Sequence, residues 1–331
     1  MNNSTITPNV TEADGSYQAN TQLSFTAATG IAIVFSVIGL IGNFIVFWYL
    51  CFKIKKNKYT IYIINLSVAD FIFLLFNIVA LILFIHTLTS TNPQTEWKEP
   101  FLVFLEIFSK SGQYSGMYIL TALSLERCLS VLFPIWYHCQ RPNNLSIIIC
   151  VSVWILGCTE SLIDNLGCPA RAFYQPNIGC TAVQIIVFGL AIVICLPIMV
   201  ISSFILLFKI KRTFDDQYPQ KFYIIIIVAV CVFIISVIPI NFVWFFMYFK
   251  VLKSDFETVG FFFGSMYCLV LHCTIDPYIY FIIGNKWKKK SSHSIKDALE
   301  RAFRTEDDEN DDSNSNKTSN ISNQSNLASA L

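Results

Sequence analysis

Residues 222–249 read FYIIIIVAVCVFIISVIPINFVWFFMYF, a run without one charged side chain. About 20 apolar residues in a helix cross a hydrocarbon core, and this run exceeds that length. It has six companions, at 26–51, 61–84, 101–125, 145–166, 185–208 and 260–283. Hydrophobic residues make up 54% of the chain and charged ones 14%, so the apolar surface is more than a water-soluble core can bury. It has to face lipid. Lipid cannot satisfy an open strand edge, so the spans must be helices. The expected fold is an all-α membrane protein, a seven-transmembrane helix bundle over residues 26–284.

Lys and Arg accumulate in cytoplasmic connections. One side of the expected bundle collects Lys53, Lys55, Lys56, Lys58, Lys209, Lys211, Arg212 and Lys286, while the other holds Lys98, Arg171, Lys250 and Lys253. This asymmetry places residues 1–25 outside the cell and everything after Gly284 inside, as for a multi-pass plasma-membrane protein. Residues 1–25 lack a signal-peptide pattern, so the first run is expected to serve as an uncleaved targeting signal. Asn3-Ser4-Thr5 and Asn9-Val10-Thr11 are sugar-acceptor triplets, which makes Asn3 and Asn9 the expected glycosylation sites. The connections are short and leave no room for a second domain. Residues 285–304 place Trp287, Ile295, Leu299 and Phe303 among Lys and Arg at helical spacing, an amphipathic eighth helix on the inner leaflet. Residues 305–331, with the acidic run EDDENDD, carry too little apolar surface for a core and read as a disordered tail.

Polar groups inside spans are expensive, so each is a functional candidate. Asn43, Asp70 and Asp276 fall mid-span, and His272 lies one helical turn before Asp276. Two readings stand for this set: hydrogen-bonding glue between helices, or an ion- or proton-sensitive centre. Glu126 and Arg127 close the third run on the cytoplasmic side. Toward the outer side, a candidate binding pocket collects Glu160 and Asp164, one turn apart on the fourth run, and Glu106 and Lys110, likewise spaced on the third.

Several motifs then occur in order, each on its own span: GN with Val46, NLSVAD, ERC, Trp154, Pro197, Pro239 and DPYIY. Together they resemble the rhodopsin-like G-protein-coupled receptors over residues 26 to about 303. The resemblance implies an extracellular ligand, a heterotrimeric G protein, and receptor kinases and arrestin acting on tail serines such as Ser313, Ser315, Ser319 and Ser322. It implies a resting pair between the neighbours Glu126 and Arg127, with Arg127 released toward the G protein and Tyr280 swinging inward on activation. Phe233, Met117 and Pro197 match the family's packing trio, and Pro239 its helix-six proline. Departures are Val237 for the usual aromatic, Asp276 for Asn and Ile205 for Tyr. No acid stands at the inner start of the sixth span, where Pro219 and Lys221 fall, so the latch on Arg127 is expected to be loose and basal signalling measurable.

The stretch ERCLSVLFPIWYHCQRP and the later RAF resemble the Mas-related receptors. That resemblance implies a disulfide between Cys168 and Cys180 in place of the usual bridge to the third helix; the alternative is two free thiols. It also implies that Asp164, four residues before Cys168, meets a basic peptide or small cationic ligand. A second acid of such receptors is Gln184 here, and Ser109 replaces the aspartate of amine receptors. The competing reading is an internal ion pair in which Lys110 neutralises Asp164 or Glu160. Other classes lack their chemistry: the seventh span has no Schiff-base lysine, and neither Gly-x-Gly-Asp nor His-Glu-x-x-His occurs. An enzyme, a cofactor, a metal and a nucleic-acid partner are therefore not expected. A transporter or proton channel built on Asp70, His272 and Asp276 is the alternative function.

Overall fold

The computed structural model describes residues 10–89, 98–142, 144–168, 178–212, 220–252, 256–286 and 295–303. Every regular element among them is a helix. In chain order these are α1 (Val10–Phe52), α2 (Thr60–Thr89), α3 (Lys98–Leu132), the short α4 (Pro134–Cys139) and α5 (Leu145–Gly167). Next comes α6, which joins Ile178–Phe188, a π-helical Gly189–Cys195 and Leu196–Arg212; α7 (Gln220–Tyr248), α8 (Phe256–Lys286) and α9 (Ile295–Phe303) complete the set. Asn3, Asn9, Trp287 and the tail serines lie outside the described residues.

The helices α1, α2, α5, α6, α7 and α8 are each long and apolar enough to cross a membrane. Helix α3, with 35 residues, is longer than a span requires but more polar. Its position explains this: α3 packs against α2, α5, α6 and α7. Ile119, Leu120 and Leu123 are completely enclosed, and Glu126 and Arg127 are buried in protein. A central helix presents little of itself to lipid, so its charges are received by neighbouring helices. The peripheral helices turn Ile31, Val34, Ile155, Val193, Phe204 and Ile235 outward instead.

Three features go beyond the apolar runs. Helix α1 begins at Val10, well before residue 26, because Glu, Ala, Gln and Leu in this polar stretch extend the hydrogen-bond ladder without needing lipid. In α6, Pro197 has no N–H for the preceding turn, and the wide π-helical segment directly ahead of it absorbs the lost register. Helix α4 forms in a connection, started by Pro134 at its first position, where a missing N–H costs nothing. Of the expected amphipathic helix over residues 285–304, the described residues are the end of α8 at Lys286 and α9 over Ile295–Phe303. Helix α9 lays Leu299 inward and its Ala298 carbonyl against Gly284 of α8.

Helix α3 crosses α2 closely at Gly112. A Cβ there would stand 2.6 Å from the Ala69 carbonyl oxygen and 2.8 Å from the Phe73 nitrogen, both backbone atoms of α2. Neither can yield without moving a helix. Gly112→Ala is expected to lower the thermal unfolding midpoint of the purified protein in detergent micelles, by the equivalent of about 1–3 kcal/mol. Gly30→Ala adds the same methyl group with nothing within 4 Å, and is expected to leave the midpoint level or raise it.

Candidate functional site

Between α2, α3, α5, α6, α7 and α8 lies a cavity of about 420 Å³, mostly apolar in its lining, with charges at one side. Asp164 of α5 is the centre of those charges. Its Oδ2 accepts from Lys110 Nζ at 2.8 Å and from Tyr114 Oη at 3.0 Å, both on α3. Its Oδ1 accepts from Gln184 Nε2 of α6 at 2.9 Å, and Gln184 Oε1 in turn accepts from Trp244 Nε1 of α7 at 2.8 Å. One buried carboxylate thus gathers donors from two helices directly and reaches a third through an amide. The Cys168–Cys180 disulfide ties the end of α5 to the first turn of α6. Tyr248 of α7 packs on Cys180 and shares a hydrogen bond with Thr181 at 3.0 Å.

The structure therefore realises the internal ion pair of Lys110 with Asp164. Glu106 lines the same cavity one turn away, exposed. Glu160 needs correction as a cavity residue. It is absent from the lining and lies one turn deeper, accepting from Tyr118 Oη at 2.5 Å, while its Oε1 has no hydrogen-bond partner among the described residues. The sequence reading missed Tyr114, Tyr118 and Trp244 and recorded Gln184 only as a missing acid. A signal for the tyrosines existed: they stand four and eight residues after Lys110, on one face of α3.

At mid-depth, Asn43 donates to the Gly39 carbonyl at 3.0 Å and to the Cys273 carbonyl of α8 at 2.9 Å, which makes it glue between α1 and α8. Asp70 meets the Cys273 thiol, and its Oδ2 has no hydrogen-bond partner among the described residues. His272 Nδ1 and Asp276 Oδ1 are 3.3 Å apart, a charge-pair distance without hydrogen-bond geometry. Phe233 of α7 stands edge-on to His272 with ring centres 5.3 Å apart. Among the described residues no three His, Cys, Asp or Glu side chains are grouped to hold a metal. Pro239 is within α7, and Tyr280 is buried in α8.

At the opposite end, the expected pair of Glu126 with Arg127 is not formed. Glu126 Oε1 accepts from Arg141 Nε at 2.8 Å and from Tyr137 Oη of α4 at 2.8 Å. Arg141 Nη2 also contacts Glu126 and Ser146. The Arg127 guanidinium lies over the ring of Tyr59, which stacks on Tyr137 at 6.2 Å. The reason is helical geometry: consecutive residues point about 100° apart and do not face each other. Glu126 therefore turns toward the connection that carries Arg141, and Arg127 toward the start of α2. Removing one partner of a buried pair leaves an unmatched charge, so Arg141→Leu is expected to cost about 3–5 kcal/mol. Thermal unfolding of the purified protein checks this, with Glu126→Gln added to Arg141→Leu expected to restore most of the loss.

Residues 42–280 match the family described as 7 transmembrane receptor (rhodopsin family). The chain is a multi-pass membrane protein and belongs to that receptor family. It is 34% identical over 280 residues to the Proto-oncogene Mas of Homo sapiens, which covers 82% of this chain and 81% of that one. To the Mas-related G-protein coupled receptor member A1 of Mus musculus it is 32% identical over 279 residues, covering 82% and 87%. To member D of Macaca fascicularis the identity is 29% over 280 residues, covering 84% and 85%. Within the rhodopsin family the chain therefore groups with Mas and the Mas-related receptors.

Proposed function

We propose that the cavity end faces the outside of the cell and takes a cationic ligand, a basic peptide or a small amine. On this reading the bundle passes the binding event to a heterotrimeric G protein at the Arg127 end. The observation that carries it is the chain of hydrogen bonds from Asp164 through Gln184 to Trp244. A ligand moves a conformational equilibrium only as far as its affinity differs between the two states. A cation placed at Asp164 changes what Gln184 and Trp244 experience, and Trp244 rides on the helix that Pro239 weakens by removing a backbone hydrogen bond. Displacement of α7 about that proline opens the far end, where Arg127 leaves the Tyr59 ring for the G protein and Tyr280 supports the opened state. Receptor kinases and arrestin acting on the tail serines would then end the signal. The plasma membrane, with the N-terminus outside, is the place for such a receptor.

The rival reading, a transporter or channel working through Asp70, His272 and Asp276, separates cleanly by experiment. Nucleotide exchange on a panel of purified Gα subunits is measured with membranes carrying the chain, alone and with a set of basic peptides and amines. Exchange above background is expected, and Arg127→Ala is expected to bring it to background. Asp164→Asn is expected to remove the response to added cations while leaving basal exchange. Exchange indifferent to Arg127→Ala, or current without any exchange, would contradict the receptor mechanism.

A further inference from the structure

Glu106, Lys110 and Asp164 are the charged side chains lining the described cavity, two anions and one cation. Lys110 is committed to Asp164, which is 6% exposed and has both oxygens engaged. Glu106 is exposed to the cavity with no ion pair or hydrogen bond among the described residues. On a helix, Glu at one position and Lys four later are neighbours in the favourable order. Lys110 thus has two carboxylates within its reach and matches the charge of one.

This has a consequence for any cation that enters. To gain Asp164 it must displace Lys110, and an ammonium stranded beside a mostly apolar wall is costly. Glu106 removes that cost, because Lys110 can pivot along its own helix from Asp164 to Glu106. After the exchange the incoming cation has Asp164, Lys110 has Glu106, and the charges sum to zero. A zwitterion brings its own carboxylate and leaves one anion unmatched; an anion leaves two; a dication leaves one positive charge over. In the low dielectric of the cavity each uncompensated charge weighs against binding. The remaining wall, including Phe73, Leu105, Ile240, Trp244 and Met266, suits an apolar body.

We infer that Glu106, Lys110 and Asp164 form an ion-exchange relay that selects ligand groups bearing one net positive charge on an apolar body. The inference rests on the reading of this cavity as the ligand site. Glu106 acts through Lys110 as a positioning residue and does not touch the ligand.

The test uses the full chain, purified into lipid nanodiscs without G protein, and reads the thermal unfolding midpoint against probe concentration. The probes share one apolar body: phenylalaninamide with one cation, phenylalanine as zwitterion, and 3-phenylpropionate as anion. Phenylalaninamide is expected to raise the midpoint, with the other two binding at least about tenfold more weakly, the scale of one partly desolvated charge contact. Glu106→Gln is expected to weaken phenylalaninamide about tenfold. In the Lys110→Met background, where nothing remains to be handed over, Glu106→Gln is expected to have little effect. The proposal is overturned if the three probes bind alike, if none moves the midpoint, or if Glu106→Gln weakens binding as much without Lys110 as with it. Because no G protein is present, such a failure leaves Arg127-dependent nucleotide exchange to stand or fall separately.

Discussion

A carboxylate buried between helices survives only if donors surround it, and Asp164 sets that requirement for one end of this bundle. Lys110 supplies charge, Tyr114 and Gln184 supply directed hydrogen bonds, and together they fix α3 and α6 against α5. The disulfide from Cys168 to Cys180 limits how far α5 and α6 can separate beyond that point. Gln184 links the acid to α7, since its amide donates to Asp164 and its carbonyl accepts from Trp244. Through Gln184 the acid is joined to a contact on α7 that it does not itself touch.

The far end repeats the arrangement with different residues. Glu126 is buried and is matched by Arg141 and Tyr137, both from the segment following α3. Arg127, pointing elsewhere, rests on Tyr59 at the start of α2. Helix α3 contributes to both polar centres, Lys110 and Tyr114 at one end and Glu126 and Arg127 at the other. Its burial among four neighbours makes it a stiff element joining them. The same position accounts for the low hydropathy of α3 beside the other spans.

Hydropathy is a local property, so the seven spans were legible in single runs such as 222–249. The ion pair of Lys110 with Asp164 stood among the sequence-level alternatives because charge at that depth is expensive. Tyr114, Gln184 and Trp244 were harder to single out, since each is amphipathic and common in helices, and only the fold brings them to one carboxylate. Glu126 and Arg127 show the opposite failure: adjacency in sequence suggested a pair, while the helix sends consecutive side chains apart. Glu160 was one turn too deep to reach the cavity, a difference that i, i+4 spacing alone does not resolve. Pro197 and Pro134 were visible in the sequence, but what the chain does around them, a π-helical segment and a short helix, depends on packing.

The central claim is that Asp164 and Trp244 are joined through Gln184. The chain has six Trp residues, so indole N–H resonances of the nitrogen-15-labelled protein in nanodiscs are few enough to assign, Trp244 by its loss in Trp244→Phe. The measurement is the Trp244 indole shift in Asp164→Leu against the unchanged chain. Trp154, which donates to Asn65 at 3.0 Å away from this cavity, serves as the internal reference. The account predicts that the Trp244 resonance moves as its hydrogen bond to Gln184 weakens while Trp154 stays in place. A Trp244 resonance unmoved by loss of the carboxylate would contradict it.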